Sequence, residues 1–229
     1  MKIVGIVGGL GPESTIDYYR RIIQVWRETD PSSYPSIMID SLDVDTGIRL
    51  VTNDHRALIE YLSSSIERLT RAGVDFVTMA ANTPHIVFDD LASRGAIPMM
   101  SIVEVCASEA QRRGYKKLAL LGTRFTMEGP FYPSTFSRRG LEIVTPAKPD
   151  RDWVHEKYIG ELLVGNFREE TREKFLELIA RLREEHHVDA LILGGTELPL
   201  LLRSDVLAGL PTLDTTELHV RAIVERLRQ

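Results

Sequence analysis

The chain has 229 residues, 43% of them hydrophobic, which is enough for one large domain or two small domains with their own cores. Acidic and basic residues are well mixed and leave a net charge of −5, so we expect no nucleic-acid partner. No stretch approaches a membrane span, no leader segment precedes the first apolar run, and the single cysteine excludes an internal disulfide, so we expect no membrane partner and a cytoplasmic location.

Short apolar runs alternate with helical periodicity along the chain, which is the pattern of βαβ units and parallel sheets. We predict strands at about residues 2–7, 36–40, 74–79, 97–101, 117–121, 141–144, 189–193 and 211–213. We predict helices at about residues 13–28, 53–71, 104–113, 170–186 and 215–228. Asn53 is expected to cap the second of these helices.

A duplicated motif divides the chain into two similar halves. Residues 74–83 read VDFVTMAANT and residues 188–197 read VDALILGGTE, at an offset of 188 − 74 = 114. This repeat predicts an α/β fold of two pseudosymmetric Rossmann-like lobes with parallel sheets, and an active-site cleft between the carboxyl ends of the two sheets. Lobe 1 would comprise about 1–103 plus 213–229, and lobe 2 about 104–212. One continuous doubly wound sheet is the alternative.

A glycine-rich turn follows the first predicted strand. The backbone amides around Gly8 and Gly9 could cradle a small carboxylate. The turn matches neither the P-loop nor the dinucleotide-binding signature, so a nucleotide is not indicated. The alternative is that these glycines only permit a tight turn.

Polar side chains also follow the predicted strands in both halves. Asn82, Thr83 and Thr196 can offer neutral hydrogen bonds to a carboxylate, although each could instead cap a turn or a helix. Glu197 is a candidate acid or base, or else a first-turn residue of the following helix. His85 could titrate near neutral pH, or it could be a packing residue.

Four segments resemble the signature segments of the aspartate/glutamate racemase family, and the similarity spans essentially the whole chain. They are residues 8–12, 81–85, 121–123 and 194–197. The resemblance implies two α/β lobes, a homodimer, a small amino-acid or dicarboxylate ligand, and catalysis without pyridoxal phosphate, a metal or any other cofactor. It also implies that two cysteines on opposite sides of the substrate exchange its α-proton.

Ala81 and Gly195 stand at the positions of those two family cysteines. Neither side chain can exchange a proton, so two-thiol racemisation is not expected. Cys106 does not replace them, since it lies in a predicted helix and is typical of a small buried residue.

The resemblance also assigns roles to polar positions. Asn82, Thr83, Thr123 and Thr196 are similar to the substrate-binding groups of the family. Glu197 resembles the group that assists the second thiol. Arg49 lies, in a loose alignment, where the family often has an arginine near a second substrate carboxylate, and a surface ion pair is the alternative.

Three functions remain open at this level. The first is a cofactor-independent amino-acid racemase in which Thr83, His85, Glu197 or Glu13 replaces the thiols. The second is a lyase, decarboxylase or isomerase of a small carboxylic acid that uses one acid/base, such as Glu197. The third is a catalytically inactive protein that binds an amino acid or dicarboxylate. We expect a racemase-like isomerase.

Overall fold

The computed structural model describes residues 2–95 and 97–229, which form two compact units. Unit 1 runs to Ile102 and resumes at His219, and unit 2 comprises Val103–Leu218. The strands form two separate sheets of mainly parallel strands, which confirms the predicted α/β fold class and is not the single continuous sheet of the alternative.

Unit 1 contains a four-stranded parallel sheet in the order β2-β1-β3-β4. Its strands are β1 (Ile3–Gly8), β2 (Ser36–Ser41), β3 (Phe76–Met79) and β4 (Met99–Met100). Its helices are α1 (Pro12–Thr29), α2 (Val44–Asn53), α3 (His55–Arg71) and α4 (Phe88–Ser93), with a 3-10 helix at Thr83–Val87. The central strand β1 is buried from Val4 onward, as its continuous apolar sequence predicts.

Unit 2 contains a five-stranded sheet in the order β6-β5-β7-β9-β8, in which only the β8–β9 pair is antiparallel. Its strands are β5 (Lys117–Gly122), β6 (Glu142–Val144), β7 (Ala190–Gly194), β8 (Val206–Leu207) and β9 (Leu210–Asp214). The remaining helices are α5 (Ile102–Arg112), α6 (Arg124–Glu128), α7 (Phe131–Ser137), α8 (Lys148–Gly160), α9 (Glu169–His186), α10 (Leu198–Leu201) and α11 (Thr215–Arg228), with a 3-10 helix at Leu162–Val164.

The strand register repeats at the same offset as the sequence motif. Val4 pairs with Phe76 in unit 1, and Leu118 pairs with Ala190 in unit 2. Both differences, 118 − 4 and 190 − 76, equal 114. The central strand pair of each unit is therefore followed by a corresponding segment, residues 81–83 in unit 1 and residues 195–197 in unit 2.

The cap predicted for the second helix is wrong. Asn53 ends α2, and its side-chain amide donates to the Arg49 carbonyl at 2.9 Å. Asp54 caps α3 instead, because its carboxylate accepts the Ala57 amide at 2.9 Å. The helix predicted at about residues 53–71 corresponds to α3 alone, and α2, which ends one extended residue before α3 begins, was not predicted.

Candidate active site

A buried carboxylate lies just beyond the carboxyl end of β7. Glu197 is only 2% exposed and immediately precedes α10. The Thr196 hydroxyl donates to Glu197 Oε2 at 3.1 Å, and the Tyr158 hydroxyl donates to the same oxygen. Hydrogen bonds of this kind are what a carboxylate needs when it is removed from water. Thr196, Glu197 and Tyr158 therefore form a three-residue polar cluster at this strand end.

Tyr158 reaches this cluster from α8. Burial raises the pKa of Tyr158 well above its ordinary value, and the negative charge of Glu197 raises it further. The phenol therefore keeps its proton and acts as the donor of the pair. Sequence analysis missed this residue because only Val154 and Tyr158 are buried on α8, which leaves little helical periodicity to detect.

Tyr158 also fills the space beside Gly195. A Cβ atom at position 195 would lie 2.6 Å from the Tyr158 hydroxyl oxygen and 2.8 Å from the ring carbon that carries it. Both separations are shorter than any real Cβ contact. The phenol hydroxyl therefore stands where the side chain of residue 195 would begin, and glycine is the residue that leaves room for it.

The corresponding segment of unit 1 is organised around His85. His85 Nδ1 donates to the carbonyl of Ala81 at 3.0 Å, and the Ile102 amide donates to Nε2 at 3.3 Å. The imidazole stacks on the Phe88 ring with centroids 5.1 Å apart. Burial lowers the pKa of His85 to about 4. The ring is thus neutral at pH 7 with both nitrogens bonded to backbone, which favours a packing and positioning role.

Asn82 and Thr83 lie between the end of β3 and this histidine. Asn82 is buried, and its carbonyl accepts the His85 amide at 2.9 Å. Thr83 is half-buried and begins the 3-10 helix. The backbone of Ala81 and Asn82 is therefore hydrogen-bonded to His85, and Thr83 lies in the same segment.

The glycine turn after β1 is packed against its own surroundings. Gly9 has φ +76°, and its amide donates to the Thr15 hydroxyl at 2.8 Å. The Gly8 carbonyl accepts the Leu42 amide at 3.0 Å, and a Cβ on Gly9 would overlap the Leu42 backbone. The turn geometry thus accounts for Gly9, and its amide is already used within the protein. This favours the tight-turn interpretation over anion binding at Gly9.

The remaining candidates are Thr123 in unit 2, directly after the strand residue Gly122 that pairs with Gly194, and Arg49 and Glu13 in unit 1. Thr123 is buried and caps α6, where its hydroxyl accepts the Thr126 amide at 3.3 Å. Arg49 is exposed on α2, and its guanidinium donates to the Thr46 hydroxyl at 3.4 Å. Glu13 is exposed in the first turn of α1.

Cys106 does not offer the missing thiol chemistry. Its side chain is fully buried on α5, and burial raises the pKa of the thiol, so a thiolate does not form near neutral pH. Within residues 2–95 and 97–229, no three His, Cys, Asp or Glu side chains are grouped as metal ligands would be. In the same part of the chain, no helix combines the length and apolar character that crossing a bilayer requires.

The two similar sheets, with polar residues after corresponding strands, define a two-unit α/β protein. Comparison with known proteins agrees. The family model for Asp/Glu/hydantoin racemases matches residues 7–223. The chain therefore belongs to this family, which confirms the resemblance seen in the sequence.

Individual relatives span the whole chain. A broad-specificity amino-acid racemase from Bacillus subtilis (strain 168) is 24% identical over 230 residues, covering 97% of this chain and 96% of the relative. The crystal structure of an aspartate racemase homologue from Pyrococcus horikoshii is 34% identical, with a TM-score of 0.84 and complete coverage of both chains. An aspartate racemase from Picrophilus torridus is 26% identical, with a TM-score of 0.81, and the match covers 100% of this chain and 95% of that one.

Proposed function

We propose that this protein is an amino-acid racemase-like isomerase that exchanges the α-proton of a small amino acid without a cofactor. The observation that carries the proposal is the family match over residues 7–223. Relatives named as an aspartate racemase and as a broad-specificity amino-acid racemase support an amino-acid substrate. Acidic amino acids are the first substrates to test, and neutral ones the second.

Polar residues at the strand ends would recognise the substrate. Asn82 and Thr83 in unit 1, and Thr123 in unit 2, are candidate hydrogen-bond donors to a substrate carboxylate, whereas the Thr196 hydroxyl already donates to Glu197. A hydrogen bond to the carboxylate strengthens as negative charge develops on it during proton removal. Arg49, which is exposed on α2, would pair with a second carboxylate of an acidic substrate.

The proton itself must be handled by groups other than thiols. Ala81 and Gly195 carry no acid or base, and Cys106 is buried with a raised pKa. Glu197 is the strongest candidate, since it is a buried carboxylate with hydroxyl donors at the carboxyl end of a central strand. Thr83 is the polar candidate beside Ala81, and His85 would hold the backbone of that segment in position.

One alternative function has a specific observation in its favour. The Tyr158–Glu197 pair is a single acid/base centre, which is sufficient for a lyase, a decarboxylase or an isomerase of a small carboxylic acid. Such an enzyme would stabilise a developing enolate and move one proton. It would convert the ligand into a new compound instead of its mirror image.

Proton NMR in deuterated water separates these functions. The purified protein is incubated with L-aspartate, L-glutamate and several neutral amino acids, and the α-proton signal is followed together with chiral chromatography. Loss of the signal with both enantiomers formed supports the racemase. A different product supports the alternative. Saturable thermal stabilisation by a ligand without exchange or product would identify a binding protein and contradict the proposal.

We also propose that the protein forms a homodimer in the cytoplasm, as the family resemblance implies. Light scattering coupled to size-exclusion chromatography measures the assembly directly. A mass near twice the 25.9 kDa of the chain would support the dimer, and a mass near that of one chain would contradict it. Cell fractionation with an antibody against the chain tests the location.

A further inference from the structure

We infer that Tyr158 is a catalytic residue whose hydroxyl, backed by Glu197, is the acid/base that unit 2 presents to the substrate. The inference rests on the proposed function and names the group that carries its chemistry on one side of the substrate. Tyr158 was not among the residues that the sequence singled out.

The first reason is position. The Tyr158 hydroxyl lies 2.6 Å from where the Cβ of residue 195 would be. Residue 195 follows directly after β7, and the carboxyl ends of parallel strands are where α/β proteins bind their ligands. The phenol oxygen therefore occupies the place from which a side chain of residue 195 would act. Because Gly195 has no side chain, the two groups do not compete for this place.

The second reason is the partner of the hydroxyl. Tyr158 donates to Oε2 of Glu197, and the Glu197 amide also points to the phenol oxygen, 3.4 Å away. Both side chains are almost fully buried, so the proton between them is shielded from water. A tyrosine that served only to pack would need a hydrogen-bond acceptor, but any carbonyl would suffice. A carboxylate can additionally take the proton.

Glu197 makes proton transfer through a phenol feasible. A free phenolate beside a carboxylate would be strongly disfavoured, since burial and the charge of Glu197 raise the pKa of Tyr158. A coupled transfer avoids the phenolate. When the Cα–H bond breaks, its proton goes to the Tyr158 oxygen, and the original hydroxyl proton of Tyr158 moves to Glu197 Oε2.

The coupled step balances in both directions. The electron pair of the broken bond stays on the substrate as a carbanion, delocalised into its carboxylate. The Tyr158–Glu197 pair gains one proton and changes from one negative charge to none. On return, Tyr158 gives its proton to the carbon and regains one from Glu197. No oxidant, metal or cofactor is needed.

Three substitutions in the full-length protein test the inference. Tyr158→Phe removes the hydroxyl and keeps the ring. Glu197→Gln keeps the side-chain size and an oxygen that accepts from Tyr158, but it cannot take the proton, so it serves also if Tyr158→Phe fails to fold. Tyr132→Phe is the matched control, because Tyr132 is another fully buried tyrosine of unit 2, packed against Phe136. Circular dichroism and thermal unfolding establish that each variant is folded.

The readout is α-proton exchange in deuterated water with the amino acid that the wild-type protein exchanges fastest. We expect Tyr158→Phe and Glu197→Gln to lose at least about a hundredfold in rate, with thermal stabilisation by the ligand retained, and Tyr132→Phe to stay within a few-fold of wild type. Unchanged exchange by a folded Tyr158→Phe protein overturns the inference alone. Absence of exchange by the wild-type protein with every amino acid overturns the proposed function, and the inference with it.

Discussion

The Tyr18 hydroxyl donates a hydrogen bond to Nδ1 of His219 at 2.9 Å, although the two residues are 201 positions apart. Nε2 of the same ring donates to the Thr78 hydroxyl at 2.8 Å, and Thr78 donates in turn to the Met100 carbonyl at 3.2 Å. The chain of bonds runs through the core of unit 1, where His219 is fully buried. Burial lowers the pKa of His219 to about 3, so the ring is neutral at pH 7.

His219 and His85, two buried neutral histidines of unit 1, predict that the folded protein is sensitive to acid. In the folded protein the pKa values of His219 and His85 are about 3 and about 4, whereas the ordinary value is 6.5. The unfolded chain therefore binds more protons as the pH falls below 6.5, and the folded state loses stability down to those lower values. Each histidine contributes roughly 1.4 kcal/mol per pH unit in that window.

Urea unfolding at pH 7 and pH 5 measures the effect. We expect the unfolding free energy to fall between the two values, and the His219→Gln variant to show a smaller fall, because glutamine offers a donor and an acceptor without titrating. Identical pH dependence in wild type and His219→Gln would contradict the assignment of His219 as a buried neutral ring.

Thr78 provides a second prediction for the same network. Thr78→Val keeps the shape of the side chain but removes the partner of the His219 ring, so we expect a loss of roughly 1–3 kcal/mol in unfolding free energy. Thr52→Val is the control, since Thr52 is exposed on α2 and should change stability by less than about 0.5 kcal/mol. Equal effects of the two substitutions would mean that the buried hydrogen bond between Thr78 and His219 does not contribute to the unfolding free energy.

The turn after β1 gives a third prediction. Gly9 and Gly73 have similar positive φ values, +76° and +86°, but a Cβ on Gly9 would overlap the Leu42 backbone and one on Gly73 would have no atom within 4 Å. Gly73→Ala should lower the unfolding free energy by roughly 1–2 kcal/mol, which is the cost of holding a non-glycine residue at positive φ. Gly9→Ala should lower the unfolding free energy by clearly more, because its Cβ would also overlap the Leu42 backbone. Urea unfolding of both variants measures the two losses of unfolding free energy. Equal losses would show that the turn is not closely packed at Gly9.

Local patterns made both sheets except β8 and five of the helices predictable, whereas α2, α8 and the short helices α4, α6, α7 and α10 were not predicted. All eight predicted strands and all five predicted helices are present, with ends within two residues. The repeat was also visible in the sequence, and individual hydrogen bonds recur at the same offset. Asp75 accepts the Ile3 amide at 2.6 Å, and Asp189 accepts the Lys117 amide at 3.0 Å, with each residue of the second pair 114 positions after its counterpart. Such features depend on short sequence stretches that recur in each half.

The Tyr158 contact could not be predicted in the same way. It joins α8 to residue 197 across 39 positions, and nothing in the spacing of α8 points to a particular strand end. In the sequence, Gly195 itself was the one feature that pointed to such a contact. A glycine at a position where the family places a reactive side chain indicates that another group takes up the space, but the identity of that group follows only from the folded chain.

Placing a cysteine at position 195 is therefore expected to destabilise the protein unless Tyr158 is also changed. In Gly195→Cys the new Cβ would overlap the Tyr158 ring and hydroxyl, so the substitution should cost roughly 1–3 kcal/mol of stability through overpacking. In a Tyr158→Ala background the same cysteine has room, and its cost should largely disappear. A double-mutant cycle of urea unfolding free energies measures this coupling. Because Gly195→Cys would be compared with and without Tyr158, the loss of the tyrosine itself cancels, and an equal cost in both backgrounds would contradict the proposed overlap.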